Sequence, residues 1–238
     1  MKRENLIGFL PFYLLICILF IGLASGGSRA VTAVTENTPI ERSRRIVIDA
    51  GHGGIDGGAS SCTGVLESAL NLEISLRLND LLQFLGFETV MIRTTDTSVH
   101  TKEGTIAQIK VSDLKERVRI VNETEGAFLL SIHQNTFPES RYSGAQVFYS
   151  GDDSKALANA LQTSLVHTLN PGSRRQCKKA DGIYLMEKIQ KPGILLECGF
   201  LSNPEEEAKL RSPEYQKKLC CLIASSVSGF LLDGRTNG

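Results

Sequence analysis

The sequence lacks a net charge and lacks paired cysteine motifs. Its 238 residues contain 26 lysines and arginines and 26 aspartates and glutamates, so the formal net charge is +0. Proteins that bind nucleic acids normally carry a basic excess that neutralises phosphates, and we therefore expect no nucleic-acid partner. Six cysteines are present, but none forms a C-x-x-C pair. This absence argues against a cysteine zinc site and against a thioredoxin-like motif.

Several common catalytic and nucleotide-binding motifs are also absent. Neither H-E-x-x-H nor G-x-S-x-G occurs, and no Gly-Lys pair is available for a P-loop. The glycine-rich stretch RRIVIDAGHGGIDGGA looks like a nucleotide loop, but Asp56 stands where the dinucleotide fingerprint needs its third glycine. An acidic side chain there would repel a pyrophosphate. The stretch is therefore better explained as a loop that presents His52.

Residues 1–23 contain an apolar segment preceded by two positive charges. Lys2 and Arg3 are followed by eighteen uncharged residues that begin at Leu6. This pattern is typical of a signal peptide or of an N-terminal membrane anchor, and both remain open because small residues suitable for cleavage follow the apolar run. In either case the positive end stays inside and the rest of the chain is exported. Residues 24–43, rich in Ser, Thr, Gly and Ala, are predicted to be a linker.

Residues 44–234 are predicted to be one α/β domain. Short apolar runs alternate with amphipathic helical patterns in this range, which is typical of a mostly parallel sheet covered by helices. The runs 46–48, 128–130 and 194–196 are continuously apolar, as expected of strands buried on both faces. The predicted strands are 45–49, 87–94, 127–133, 144–150 and 193–199, and the predicted helices are 66–85, 112–125, 154–169 and 213–232.

Three of the predicted strands end in side chains that can bind a metal or carry a proton. His52 follows the first strand, His133 ends the third and Glu197 lies near the end of the last. In open α/β sheets, ligands bind beyond the carboxyl ends of the strands. A catalytic zinc usually has three protein ligands, and the two imidazoles supply only two of them. A carboxylate is the expected third ligand. His100 and His167 are predicted to be ordinary surface residues.

Glu67 is the candidate for this third ligand. It continues, toward the helix start, the apolar stripe of the first predicted helix. That stripe contains Leu70, Ile74, Leu78, Leu81 and Leu85. A buried carboxylate is costly unless it is paired or coordinates a metal, although a first-turn glutamate that stabilises the helix dipole is the alternative. Glu197 closes an apolar strand and also needs a partner; beside a metal it could take a proton from water and return it to a leaving amine.

Four segments occur in a fixed order: VIDAGHGGIDGGA, Glu67 at the head of the next helix, LLSIHQN and LLECGFLSNPEE. Together they resemble the zinc-dependent N-acetylmuramoyl-L-alanine amidases of the bacterial cell wall, in the catalytic domain called amidase type 3. The resemblance covers residues 44–232 and implies a three-layer α/β/α fold. It implies one Zn²⁺ per chain, held by His52, Glu67 and His133. It also implies Glu197 as the catalytic residue that cleaves the amide between N-acetylmuramic acid and the L-alanine of the stem peptide.

Within this family, the segment DGIYLMEKIQKPGILLECGFLSNPEEEAKLRSPEYQKKL is similar to the germination-specific amidases of endospore-forming bacteria. The similarity implies action on spore-cortex peptidoglycan, where stem peptides are removed before a partner deacetylase completes muramic-δ-lactam. Larger relatives carry an autoinhibitory insertion or wall-binding repeats, for which we find no counterpart here. We therefore expect restraint and targeting to come from the N-terminal anchor or from an activating or targeting protein. The expected location is extracytoplasmic, at the membrane or in the cell wall or forespore intermembrane space.

The roles of several residues near the motifs stay open. Arg93 and Asn135 could support the site, although Asn135 could equally form a strand-end turn. Asp49 and Asp56 could orient His52 as hydrogen-bond acceptors or could only shape the turn. The basic segment SRRQCKK could contact an anionic glycan or could be a solvated loop.

Two other functions fit the same residues. A different zinc hydrolase of similar fold, such as a carboxypeptidase or an amidohydrolase that acts on small amides, would use the same metal ligands. A non-catalytic wall-binding module would keep the pocket but would lose one ligand or the acid/base, and all four residues are present.

Overall fold

The computed structural model describes residues 45–233, which form six strands and six helices. The strands are β1 (Arg45–Ala50), β2 (Thr89–Met91), β3 (Ala127–Asn135), β4 (Gln146–Tyr149), β5 (Lys178–Lys179) and β6 (Gly193–Phe200). The helices are α1 (Glu67–Phe84), α2 (Ile106–Glu123), α3 (Asp152–Thr168), α4 (Tyr184–Lys188), α5 (Pro204–Leu210) and α6 (Pro213–Asp233). The predicted signal peptide or anchor and the linker lie outside the described residues. None of the helices within 45–233 has the length and apolarity needed to cross a membrane.

The strands form one mostly parallel sheet in the order β2-β1-β3-β6-β4-β5. β1, β2, β3 and β6 run parallel to one another, whereas β4 is antiparallel to β6 and β5 runs parallel to β4. The start of β4 therefore lies at the same edge as the carboxyl ends of β1, β3 and β6. This is the edge at which α/β sheets bind ligands.

Helices cover both faces of the sheet. α1, α3 and α6 pack on one face, and α2 and α4 pack on the other. Successive side chains of a strand point to opposite faces. In β6, accordingly, Leu196 and Cys198 join the core under α1, α3 and α6, while Leu195 joins the core under α2 and α4. The predicted three-layer α/β/α fold with a mostly parallel sheet is confirmed.

The sequence patterns predict the four long helices and five of the six strands, and they miss β5, α4 and α5. β5, α4 and α5 have two, five and seven residues, which is too short for a periodic pattern to stand out. α2 begins at Ile106 rather than near residue 112 because a capping box precedes it. The Thr105 side chain accepts a hydrogen bond from the Gln108 backbone, and the Gln108 side chain accepts one from the Thr105 backbone.

The buried stripe of α1 differs from the prediction at its carboxyl end. Its first three positions are buried as predicted, but the stripe then continues with Leu82 rather than Leu81, and Leu85 is 47% exposed. Regular four-residue spacing keeps Leu82 over the sheet, whereas Leu85 lies beyond the last helical residue. At the other end Glu67 is 4% exposed. The stripe therefore does extend to this carboxylate.

Candidate active site

His52 lies in a loop that begins directly after β1 and has an unusual backbone conformation. Its φ angle is 61°, in the left-handed region that residues other than glycine rarely adopt. The next residues are Gly53 and Gly54, which also have positive φ angles, of 131° and 59°. A strained conformation of this kind persists only where the surrounding structure holds it. In this loop two arginine side chains do so.

Arg93 and Arg117 bind the carbonyl oxygens of three consecutive residues. Arg93 donates from Nε to Ala50 at 2.7 Å and from Nη2 to Gly51 at 3.0 Å. Arg117 donates from Nη1 to Ala50 at 3.0 Å and from Nη2 to the carbonyl oxygen of His52 at 2.6 Å. Both arginines are buried. Hydrogen bonds from ionised donors are strong, so the two guanidinium groups fix the backbone that carries His52.

The charge of Arg117 is balanced by two aspartates. Its Nη1 contacts Asp49, and its Nε donates to Asp113 Oδ2 at 2.6 Å. Burial opposes ionisation of Asp49, but the charges of Arg117 and His133 together with the hydrogen bonds from Ser131 and Arg117 outweigh it and hold the pKa of Asp49 below its usual value. The Ser131 hydroxyl also donates to Asp49, at 2.7 Å. Asp49 therefore anchors Arg117 and makes no hydrogen bond to the imidazole of His52 within the described structure.

Asp56 is the carboxylate that contacts Nδ1 of the His52 imidazole. His52 Nδ1 lies 2.9 Å from Asp56 Oδ2, and Lys110 Nζ lies 2.7 Å from the other carboxylate oxygen. Burial opposes ionisation of Asp56, but the hydrogen bonds of Lys110 and His52 outweigh it and lower the pKa of Asp56. In neutral His52, a proton donated from Nδ1 to Asp56 leaves the Nε2 lone pair free for a metal.

Glu67 is the first residue of α1 and lies between the two imidazoles. Its Oε2 is 3.2 Å from His52 Nε2, and its Oε1 is 2.9 Å from His133 Nδ1. The backbone N–H groups of Ala59 and Gln134 also donate to this carboxylate, at 2.9 and 3.1 Å. Burial opposes its ionisation, but the contacts with His133 and His52 outweigh burial and hold the pKa of Glu67 far below its usual value. Glu67 therefore stays anionic although it is buried.

His133 completes the cluster and occupies space that a glycine leaves open. A Cβ atom built on Gly51 would lie less than 3.0 Å from three atoms of the His133 ring. The imidazoles of His52 and His133 meet edge to face, with ring centroids 5.0 Å apart. One ligand atom from each of His52, Glu67 and His133 lies within 4.8 Å of the others. The three side chains can therefore hold a metal ion, and two imidazoles with one carboxylate are a donor set typical of catalytic zinc.

Glu197 lies on β6 directly beside His133, as its Cα partner in the parallel pairing. Its Oε2 atom is buried and has no hydrogen-bond partner within residues 45–233. Burial, together with the charge of Glu67, raises the pKa of Glu197 to about 7 against the opposing effect of the two histidines. A carboxylate whose pKa is near neutrality can both accept a proton and return it.

The other candidate residues take different positions. Arg93 supports the loop after β1, as described above. Asn135 ends β3, where its backbone oxygen accepts a hydrogen bond from Leu201 at 2.8 Å, which fits the strand-end role. His100 lies in the loop before α2, with Nδ1 2.9 Å from Ser98 Oγ, and His167 is exposed on α3. Neither histidine belongs to the metal-ligating cluster.

Arg117 is not among the residues predicted from the sequence, although the pattern of α2 contains a signal for its burial. The buried face of α2 includes four residues at four-residue spacing, namely Ile109, Asp113, Arg117 and Val121. Two opposite charges on such a face predict a buried ion pair, because a buried charge needs compensation. The partner Asp49 is 68 residues away, so no spacing rule could have found it.

The cluster and its neighbour together have the side chains expected in the site of a metal-dependent hydrolase. Three side chains offer metal ligands and leave further coordination positions for water and substrate. A shielded carboxylate with an unpartnered oxygen lies beside them and can transfer protons. All of these groups come together at the edge formed by the carboxyl ends of β1, β3 and β6.

Comparisons with known proteins identify the family. The N-acetylmuramoyl-L-alanine amidase profile matches residues 46–228. The chain is 41% identical over 186 residues to the germination-specific N-acetylmuramoyl-L-alanine amidase of Bacillus subtilis (strain 168), with 76% of each chain covered. The CwlD amidase of Clostridioides difficile, solved in complex with the GerS lipoprotein, has a TM-score of 0.75 and 36% identity, covering 79% of this chain and 98% of that one. An N-acetylmuramoyl-L-alanine amidase of Clostridium difficile 630 has a TM-score of 0.69 and 29% identity, covering 83% and 100%.

The chain therefore belongs to the N-acetylmuramoyl-L-alanine amidase family. This membership confirms the resemblance found in the four sequence segments. The two rival functions, another zinc hydrolase and a non-catalytic wall-binding module, are not favoured.

We predict that Gly51→Ala lowers metal affinity by about 10- to 100-fold, the range seen when groups that orient metal ligands are lost. The added methyl group would overlap the His133 ring and displace it. The matched control is Gly151→Ala, because a Cβ atom at Gly151 meets no atom within 4 Å. Competitive zinc titration measures the affinities. Wild-type affinity in folded Gly51→Ala would contradict the prediction.

We predict that Arg117→Met lowers the free energy of unfolding by about 3–5 kcal/mol, because it leaves Asp49 buried without its counter-charge. The control is Arg119→Met on the same helix, where the exposed arginine pairs with Glu116 and Glu123. Exposed pairs contribute little, so the control should unfold like the wild type. Urea denaturation of both variants checks the difference, and equal stabilities would refute it.

Proposed function

We propose that the protein hydrolyses the amide bond between the lactyl group of N-acetylmuramic acid and the L-alanine of the stem peptide in peptidoglycan. The main support is the position of Glu197, whose Oε2 atom has no partner among the described residues, beside the cluster of His52, Glu67 and His133. The chain that carries this arrangement belongs to the amidase family. The two histidine side chains are 26% and 19% exposed, so a bulky glycopeptide can reach them.

We propose one Zn²⁺ per chain, held by His52, Glu67 and His133. The contacts suit this role, because Asp56 can fix the His52 tautomer and Glu67 is held as an anion. The same two carboxylates raise the pKa of His52 to about 9 against the effect of burial, so a bound metal would take the place of the proton on Nε2. Bound there, zinc supplies Lewis acidity to the amide carbonyl and to water. The contribution of the protein is to hold the three donors close together in advance, through the arginine-bound loop after β1 and the start of α1.

In this proposal Glu197 handles the proton. Its carboxylate, in which Oε2 has no competing partner within the described residues, accepts the proton of the attacking water. The same carboxyl group then gives the proton to the amide nitrogen, which leaves as the amine of L-alanine. Burial raises the pKa of Glu197 to about 7 in the metal-free protein, which favours the return of the proton.

The spore-cortex role is part of the proposal. Its support is the identity of 41% to a relative named germination-specific. The CwlD relative is in complex with a lipoprotein, so a lipoprotein is one kind of activating or targeting partner that we propose here. A partner deacetylase that acts after the amidase is the second. A pull-down from sporulating cells that recovers no activating or targeting protein, together with full activity of the isolated protein, would count against the first of these partners.

We also propose export across the membrane, on the basis of the apolar segment in residues 1–23. The catalytic domain would then act outside the cytoplasm, where peptidoglycan lies. N-terminal sequencing of the protein from membrane and soluble fractions distinguishes a cleaved signal peptide from a retained anchor.

We predict that the zinc-loaded protein releases free stem peptides from purified muropeptides and leaves the glycan intact. A chelator should abolish the release, and added zinc should restore it. Mass spectrometry of the products identifies the bond that is cut. Cleavage within the peptide would instead favour the rival zinc peptidase, and chelator-resistant activity would refute the metal requirement.

We predict that Glu197→Gln lowers amide hydrolysis by about 10²- to 10⁴-fold, because the amide side chain cannot accept the proton. Its zinc content, measured by atomic absorption, should equal that of the wild type since Glu197 is not among the three ligands. Glu125→Gln, an exposed glutamate before β3, is the control and should keep full activity. Near-normal turnover in Glu197→Gln would refute the assigned role.

A further inference from the structure

A positively charged cavity of about 1020 Å³ lies beside the proposed catalytic site, and we refer to it as the cationic cavity. Its basic lining residues are Arg141, Arg174, Arg175, Lys178 and Lys209. Two acidic residues, Glu205 and Glu206, also line it, but the buried Glu206 carboxylate accepts hydrogen bonds from the Gly144 and Phe200 backbones. Arg141 pairs with Glu139. The cavity still carries more positive than negative charge.

The register of the sheet places the cationic cavity next to Glu197. Gln146, which lines the cavity, is the Cα partner of Glu197, and Glu197 is the Cα partner of His133. Neighbouring strands are about 4.8 Å apart, so Gln146 is about 5 Å from Glu197 and about 10 Å from His133 across the sheet. An extended peptide advances about 3.3 Å per residue. A stem peptide whose first nitrogen lies at the catalytic site can therefore reach the cavity with its second and third residues.

Arg175 is fixed in the cationic cavity with one edge free. It donates from Nε to the Ser143 carbonyl at 2.9 Å and from Nη1 to Gln146 Oε1 at 3.1 Å. Its guanidinium group lies over the Phe200 ring, 4.8 Å from the centroid. Within the described part of the chain, its Nη2 atom donates to no acceptor. A guanidinium group fixed in this way presents preorganised N–H donors to a carboxylate.

The opposite side of the site carries acidic groups. Asp56 lies against His52 there, and Asp96 accepts a hydrogen bond from the Gly54 backbone at 3.0 Å. Lys110 is engaged by Asp56. Since Lys110 and Asp56 offset each other, the β2 side has no positive excess, and an anionic part of the substrate is favoured on the β4 side.

We propose that the cationic cavity binds the carboxylates on the second and third residues of the stem peptide. This inference rests on the proposed amidase function. The cavity directs the departing peptide toward β4 and selects substrates whose stem carboxylates are charged rather than amidated. Arg175 supplies the fixed contact, and the exposed Arg174, Lys178 and Lys209 supply the surrounding positive charge.

The test compares two muropeptides that differ only in whether the stem carboxylates are free or amidated. The variant is Arg174→Gln/Lys178→Gln/Lys209→Gln in the full-length, zinc-loaded protein; Arg175 is kept because it also bonds to the Ser143 backbone. We expect the wild type to show a KM about tenfold lower for the charged substrate, with similar kcat. The variant, in which Arg175 alone remains to bind the carboxylates, should show a clearly smaller preference. Lys179→Gln is the matched control, since Lys179 is next to Lys178 but does not line the cavity.

Calorimetric titration with the free stem peptide separates this inference from the proposed function. If the wild type cleaves neither muropeptide, the amidase proposal fails. The cavity inference is still supported in that case if the wild type binds the charged peptide more tightly than the amidated one and the triple variant shows a smaller difference. If cleavage occurs with the same preference in wild type and variant, the cavity inference is overturned. Loss of affinity for a peptide-free disaccharide, with peptide binding unchanged, would overturn it as well.

Discussion

Two buried guanidinium groups hold the backbone on which the catalytic site depends. Arg93 and Arg117 converge on the carbonyl oxygens of residues 50–52, and His52 can keep its left-handed conformation because these oxygens are fixed. The two buried positive charges repel each other, and burial together with the charge of Arg117 lowers the pKa of Arg93. The negative charge of Asp49 acts in the opposite direction. The result is a loop that is rigid before any metal or substrate arrives, which is the condition for a precise set of ligands.

Glu67 and Glu197 have different chemical roles because their surroundings differ. Both are shielded carboxylates near the same two histidines, yet their pKa values shift in opposite directions. Glu67 is surrounded by imidazole and backbone N–H groups that stabilise its anion. The Oε2 atom of Glu197 has no such donor among the described residues, so burial dominates. The number of donors around each carboxylate thus distinguishes the proposed metal ligand from the proposed acid/base.

The sequence predicts the site residues that lie at the ends of strands. It does not predict the residues whose role depends on contacts between distant parts of the chain. His52, His133 and Glu197 follow from apolar runs that end at one sheet edge, and Glu67 follows from the stripe of α1. The need for glycine at Gly51 arises from the position of the His133 ring on another strand, which no local pattern encodes. The basic segment before β5 is visible in the sequence, but its place beside Glu197 depends on the reversed direction of β4.

The reversed β4 also determines how the sheet ends. Beyond it, β5 is the edge strand and consists only of Lys178 and Lys179, both exposed, while the opposite edge, β2, has three residues. Edge strands offer unpaired backbone groups to other chains, and short, lysine-bearing edges suppress such pairing and the aggregation that follows. Lys178 thus has two effects. Its charge lines the cationic cavity, and at the edge strand the same charge disfavours pairing of the sheet with another molecule.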